Sequence, residues 1–377
     1  MTDTDLVAIG SGMKLTCSRD ELVQKLAIVS RAVSPRTTVL VLGGILLRAE
    51  NGALNLAATD MELSLRTSLD AQVEGDGAVV VPGKLLVDLA RLLPDEEVRI
   101  EHRAEEGIVR IECGAASYRL HTYSADDFPR LPDVEAIGTF TVDREALLET
   151  IARVSRSASR DESRPVLTGI LVRFEAGKLV MAATDSYRLS VKETVFEGEV
   201  PELEAIVPAR ALTEVVRIAG AGDGLELGVH ENQVVFVMDG LTLTTRRIEG
   251  QFPNYKQLIP EAYEHTVVLP RGETLEVIRR VSVMAQRNSP LRVKFAEGEL
   301  TVSAQTQDVG EAHESLPAAF AGDALEIGFN AEFLREGFES VSGDEVRLKL
   351  ISPLRPAVIQ GDSDDFTYLV MPIRLPS

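Results

Sequence analysis

The chain has 377 residues, 45% hydrophobic and 26% charged, a globular composition long enough for two or three domains. Its 39 basic and 59 acidic side chains leave a net charge of −20, which excludes adhesion to nucleic acid by bulk attraction. A local basic strip survives that sum, because charge is screened beyond about 8–10 Å.

Residues 1–12 carry two acids, no basic residue and no apolar core, so they are expected to form a disordered extension and not a signal peptide. No run approaches the ~18 apolar residues of a membrane span. Cys17 and Cys113 are too few for a disulfide framework or a zinc site. A cytoplasmic protein without metal or cofactor is expected.

The first unit is expected to open with a helix, its apolar face marked by Leu22, Leu26, Val29 and Val33. A hairpin follows, turning at Asn51-Gly52, with Leu54, Leu56 and Ala58 alternating with other residues. Period two gives a strand with one buried face, and glycine supplies the positive φ of the turn. Val81-Pro82 leads into a second helix over Lys84–Leu93, and strands are expected at 98–100, 108–113 and 118–123.

The second unit repeats this order. Leu147, Ile151, Val154 and Ala158 mark its first helix, Ala176-Gly177 its hairpin turn, and Val207-Pro208 the entry to its second helix. The hairpin stretch Gly43–Asp60, GGILLRAENGALNLAATD, is nearly copied within Pro165–Leu189, PVLTGILVRFEAGKLVMAATDSYRL. A worn third copy, LRVKFAEGELTVSAQT, spans Leu291–Thr306, behind a helix marked by Leu275, Ile278, Val281 and Ala285. Units of about 120 residues exceed solenoid repeats of about 20–50. They predict three like-folded α+β domains, 13–138, 139–265 and 266–377.

No catalytic constellation emerges. The five histidines are scattered, and no nucleophile elbow, Walker loop or dinucleotide fingerprint is present. Thr59-Asp60 and Thr184-Asp185 end equivalent strands, where aspartate caps a turn, so a structural role is expected for both. Arg153, Arg156 and Arg160 fall at i, i+3, i+7 on the face opposite the apolar series and predict an exposed basic stripe. Arg31 with Arg36, and Arg279 and Arg280 with Arg287, cluster at the corresponding helix ends. A basic patch once per unit suggests a polyanion. With aromatics at 5% and no Trp, base stacking is not expected, and contact should go to duplex phosphates.

Several segments carry a family resemblance: MKLTCSRDEL at the start, Leu42-Gly43 read as strand, AATDSYRL, QFPNYKQLIP, IGFN and the terminal YLVMPIRL. Together with the threefold repetition, the chain from Met13 to Leu375 resembles the bacterial DNA polymerase III β subunit, the sliding clamp. The resemblance implies a head-to-tail homodimer, six domains in a ring of helices inside and sheet outside. Such a ring encircles double-stranded DNA without sequence specificity. It also implies a processivity factor, not an enzyme, that tethers the replicative DNA polymerase. The clamp loader, other polymerases and repair proteins would dock through a short hydrophobic motif.

The resemblance places a partner-peptide pocket at Arg164, Leu167, Thr184, Ser186, Tyr187, Arg188, Leu189, Pro253 and Leu258. Asn330, Phe333, Pro356, Leu369, Met371, Pro372 and Arg374 complete it, with arginines at the rim. It places Arg31, Arg36, Arg153, Arg156, Arg160, Arg279, Arg280 and Arg287 toward DNA. The dimer contacts would be Tyr118 and Leu120 on one edge, Val283 and Met284 on the other. Ser186-Tyr187 replaces a Gly-His found in many relatives. An acidic tandem-domain scaffold that binds peptides without encircling DNA is the competing reading.

Overall fold

The computed structural model describes residues 12–34, 37–131, 138–196, 201–220, 222, 224–230, 232–285, 289–306 and 310–375. The expected extension therefore lies, but for Gly12, outside the described residues. Each repeat opens with a strand, not with the helix expected. In the first, β1 (Lys14–Ser18) precedes α1 (Arg19–Val29), β2 (Gly44–Glu50), β3 (Ala53–Thr59), β4 (Leu63–Gly75) and β5 (Gly77–Pro82). Helix α2 (Gly83–Ala90) and strands β6 (Glu97–Arg103), β7 (Ile108–Cys113) and β8 (Ala116–His121) complete it.

The middle repeat has β9 (Thr139–Asp143), α3 (Arg144–Val154), the short α4 (Pro165–Thr168), β10 (Gly169–Glu175), β11 (Lys178–Thr184), β12 (Arg188–Val195) and β13 (Leu203–Pro208). It ends with α5 (Ala209–Ile218), β14 (Gly224–His230), β15 (Gln233–Met238) and β16 (Leu241–Arg246). The third has β17 (His265–Pro270), α6 (Arg271–Ser282), β18 (Leu291–Ala296), β19 (Glu299–Thr306), β20 (Gly310–Pro317) and β21 (Leu325–Phe329). It closes with α7 (Ala331–Ser340), β22 (Glu345–Leu350), β23 (Ala357–Gln360) and β24 (Phe366–Val370).

Local chemistry explains these elements. Ser18, Asp143 and Asn330 accept backbone N–H groups at the starts of α1, α3 and α7, satisfying donors a helix end leaves open. Leu22, Leu26 and Val29 in α1, Leu147, Ile151 and Val154 in α3, and Leu275, Ile278 and Val281 in α6 are buried as the spacing predicts. Asn51 and Gly52 both take positive φ, at 53° and 77°, the backbone of a tight hairpin turn. Leu40–Gly43 is a 3-10 turn and the strand begins at Gly44, correcting the strand expected at Leu42-Gly43. A Cβ on Gly44 would lie 2.3 Å from Val80 Cγ1, so the close approach of β5 requires glycine.

The chain divides into two compact units. The first holds residues 1–142 and 217–246, the second residues 143–216 and 247–377. Unit 1 carries one twelve-stranded antiparallel sheet, in which β4 of the first repeat pairs with β16 of the middle repeat. Unit 2 carries an eight-stranded sheet in which β12 pairs with β24, and a four-stranded sheet ordered β20-β19-β18-β21. Thus the third hairpin strand of one repeat pairs with the last strand of the next. That pairing splits the middle repeat between the units.

Candidate functional site

The stretch Ala182–Leu189 sits where β11 turns into β12. Asp185 Oδ1 accepts Tyr187 N–H at 2.9 Å and Arg188 N–H at 3.0 Å, and Thr184 Oγ1 donates to Arg188 O at 2.7 Å. Asp60 and Thr59 make the same turn, accepting Leu63 N–H at 2.8 Å and donating to Leu63 O at 3.0 Å. Met61 and Ser186 take φ of 78° and 79° at its tip. Both acids are turn caps. The middle repeat differs in side chains here, not in backbone.

Arg188 is the main difference. Its side chain is 7% exposed, bound to Asp185 Oδ2 at 3.0 Å and to Glu336 of α7, with its guanidinium 4.2 Å from the Phe333 ring centre. It is a buried ion-pair centre, which corrects its expected place at a rim. Tyr368 Oη donates to Phe333 O at 2.8 Å and ties α7 to β24.

Beneath the turn, Leu189 and Leu369 face each other across β12 and β24 and pack with Phe252, Tyr255, Leu171 and Val358. Phe252 and Tyr255 meet edge to face at 6.3 Å, a favoured aromatic geometry. Above this floor Tyr187, Leu258 and Met371 are exposed. Met371 N–H donates to Tyr187 O at 2.8 Å, extending the ladder past the strand end. Arg164 donates to Asp161 Oδ2 and Ser186 Oγ, both at 3.0 Å. Leu167, Pro356 and Pro372 are half-buried, while Pro253 and Arg374 are exposed. Asn330 accepts Phe333 N–H at 3.1 Å. It lines a hollow of about 300 Å³ with Ser282, Ala285 and Arg335, which Leu189, Leu258 and Leu369 do not reach.

Of the exposed stripe expected at Arg153, Arg156 and Arg160, Arg153 ends up half-buried on α3, while Arg156, in the 3-10 turn after it, and Arg160 are exposed. Arg153 is only 17% exposed, paired with Glu149, donating to Ser342 Oγ at 3.3 Å and lying 5.9 Å from the Phe366 ring centre. Arg156 pairs with Glu339 of α7 at 2.5 Å; Arg279 reaches the same carboxylate at 3.1 Å and Arg335 at 3.7 Å. Burial would raise the Glu339 carboxyl, but hydrogen bonds from Arg279 and Arg156 outweigh it and hold it below the ordinary glutamate range. Arg279 also binds Glu276 at 2.7 Å, so three arginines around two carboxylates keep a net positive cluster.

Arg280 pairs with Glu314 of β20 at 2.7 Å. Arg31 and Arg160 are exposed, whereas Arg36 and Arg287 lie outside the described residues. The sequence reading missed Glu336, Glu339 and Arg335. Only the i, i+4 spacing of Arg335 and Glu339 signals a pair; no local pattern joins α7 to Arg188.

Tyr118 is half-buried and Leu120 buried on β8, which ends the twelve-stranded sheet. Val283 is 75% exposed just past α6, and Met284 O accepts Thr306 Oγ1 at 2.8 Å. Burial pushes the Cys17 thiol up to about 12, so it is no nucleophile near neutral pH. Among the described residues, no group of three or more His, Cys, Asp or Glu is placed to hold a metal ion. No helix among them is long and apolar enough to cross a membrane.

Three family models cover the chain: the N-terminal domain of the DNA polymerase III beta subunit over residues 13–132, its central domain over 141–254, and its C-terminal domain over 256–374. The chain belongs to the DNA polymerase III beta subunit family. It is similar to the beta sliding clamps of Streptomyces coelicolor, at 34% identity over 96% of this chain and 100% of the relative, and Synechococcus elongatus, at 36% over 97% and 100%. The crystal structure of the Bacillus subtilis DNA polymerase sliding clamp superposes with a TM-score of 0.92 at 25% identity, covering 97% of this chain and 100% of that one. The fold is that of three DNA clamp domains, and the function is that of a DNA sliding clamp, a processivity factor without catalysis of its own.

Proposed function

We propose that two copies join head to tail, β20 of each against β8 of the other, and close a six-domain ring around double-stranded DNA. The observation that carries this reading is the strand pairing between repeats. β4 pairs with β16 and β12 with β24, while β20 and β8, the corresponding strands, end their sheets. An unpaired edge is a template for another strand, and a head-to-tail contact repeated with the right rotation closes a ring. Tyr118, Leu120, Val283 and Met284 are assigned to that junction. The three domains are assigned to 13–138, 139–265 and 266–377, and the protein to the cytoplasm.

Inside the ring, Arg31, Arg153, Arg156, Arg160, Arg279 and Arg280 would meet phosphates without sequence readout, joined by Arg36 and Arg287. Their pairing with Glu149, Glu314 and Glu339 suits sliding, because every unneutralised arginine on a phosphate adds salt-dependent affinity that resists movement. A ring holds by topology, so an acidic protein can serve.

The clamp loader, the replicative polymerase, other polymerases and repair proteins would dock on unit 2. There a hydrophobic motif would lie over Leu189 and Leu369, between Tyr187, Leu258 and Met371, with Arg164 at its edge. Arg188 would hold the turn in shape. Met371→Ala is expected to weaken binding of a labelled hydrophobic partner peptide about tenfold, the loss of one central anchor, with the melting temperature unchanged. Fluorescence anisotropy measures it, and unaltered affinity would remove Met371 from the site.

A further inference from the structure

Unit 1 contains a cleft of about 670 Å³ between a sheet face and the segment Ala125–Leu131. Its floor is two cross-strand rows. One runs Leu46, Ala57, Arg66, Thr242 and the next Arg48, Asn55, Ser68 over β2, β3, β4 and β16. Phe128, Pro129 and Leu131 form the opposite wall.

The cleft has a counterpart in unit 2. Leu46, Ala57, Phe128 and Leu131 correspond by repeat to Leu171, Ala182, Phe252 and Tyr255, which belong to the apolar cluster there. Val80 keeps the place of Ile206, but four other apolar members of that cluster are not kept. Val180, Leu189, Val191 and Leu369 give way to Asn55, Ser64, Arg66 and Thr244, read from matching strand registers. Tyr255 becomes the smaller Leu131. The backbone frame persists while one side turns polar and basic, and the space stays open.

Arg48 and Arg130 are exposed, and neither side chain has a hydrogen bond or ion pair among the described residues. The acids in the lining are Glu50, which accepts Asn55 Nδ2–H at 3.4 Å, and Asp126. An extended peptide sends alternate side chains to opposite sides. Apolar and basic side chains lie next to one another on both sides of the cleft, and match a segment that alternates apolar and carboxylate residues.

We propose that this cleft is a second docking site, taking an extended acidic–apolar peptide segment of a partner protein. Apolar side chains lie on Leu46, Ala57, Phe128 and Leu131, and carboxylates pair with Arg48 and Arg130. The site is independent of the unit 2 groove and selects a different, more acidic ligand. A clamp with both sites can hold two partners per subunit at once.

The test is fluorescence anisotropy on the full-length protein with a labelled hexapeptide of alternating aspartate and leucine. Saturable binding is expected, weakening with added salt. It should fall at least about tenfold in Arg48→Glu/Arg130→Glu, from the loss of charge-assisted hydrogen bonds, and stay unchanged in Met371→Ala. Both arginines are exposed, so the double variant should keep its melting temperature. Four results would overturn the proposal: no binding, equal binding of a lysine–leucine peptide, full binding by the double variant, or binding only after deletion of residues 1–11. The last would assign the cleft to the chain's own acidic extension. Loss in Met371→Ala with the double variant unaffected would place the peptide in the unit 2 groove instead, overturning this site and supporting that one.

Discussion

Arg188→Ala is expected to destabilise the protein by about 3 kcal/mol, the usual cost of breaking a buried ion pair from one side. The side chains of Asp185 and Glu336 are 13% and 14% exposed and both bind Arg188. Removing the cation leaves two carboxylates facing each other in a poorly solvated place. The Phe333 ring loses its cation at the same time. In a unit of this size the thermal midpoint should fall by about 6–12 °C. Arg188→Met should do nearly as badly, because the volume returns but the charge does not. Adding Glu336→Gln to Arg188→Met should recover part of the loss. Scanning calorimetry on the three variants decides it, and a fall of less than about 2 °C in Arg188→Ala would mean that the pair is solvated and only marginally stabilising.

Val283→Asp should raise the dimer dissociation constant about a hundredfold, since a carboxylate buried without a partner costs a few kcal/mol. Val283 is a large apolar side chain left 75% exposed at the C-terminal end of α6. Its exposure makes the variant informative, because the isolated subunit loses no packing and should melt as before. Sedimentation equilibrium over a range of concentrations measures the shift. An unchanged dimer would exclude Val283 from the subunit contact.

Much of the fold was legible because the repeats constrain one another. A single stretch such as Lys178–Thr184 is an ordinary strand, but its match to Ala53–Thr59 fixes the register of both. Strand β7 falls at its expected bounds, 108–113. Strands β1, β9 and β17 escaped notice because they run directly into helices, so no turn signal separates them. The sheet partners were invisible for another reason. Pairing of β4 with β16 joins residues far apart in the chain, and no local pattern encodes it.

Site residues divide the same way. The turn at Thr184-Asp185 was read correctly as structural because Thr59-Asp60 repeats it. Arg153 and Arg156 were expected on an exposed stripe, and spacing on a helix gives a face but not what packs against it. Glu339, on another element, turns that face into a paired cluster. The unit 1 cleft could have been found by asking which members of the unit 2 apolar set the first repeat lacks, a comparison that needs the strand registers.

Retention on DNA of different topology tests most directly whether the ring holds DNA by enclosing it. After assembly by the clamp loader on nicked circular DNA, the protein should co-elute with the circle in gel filtration and be released when the circle is cut once. Equal retention on linear DNA with free ends would show binding by surface contact and contradict the ring.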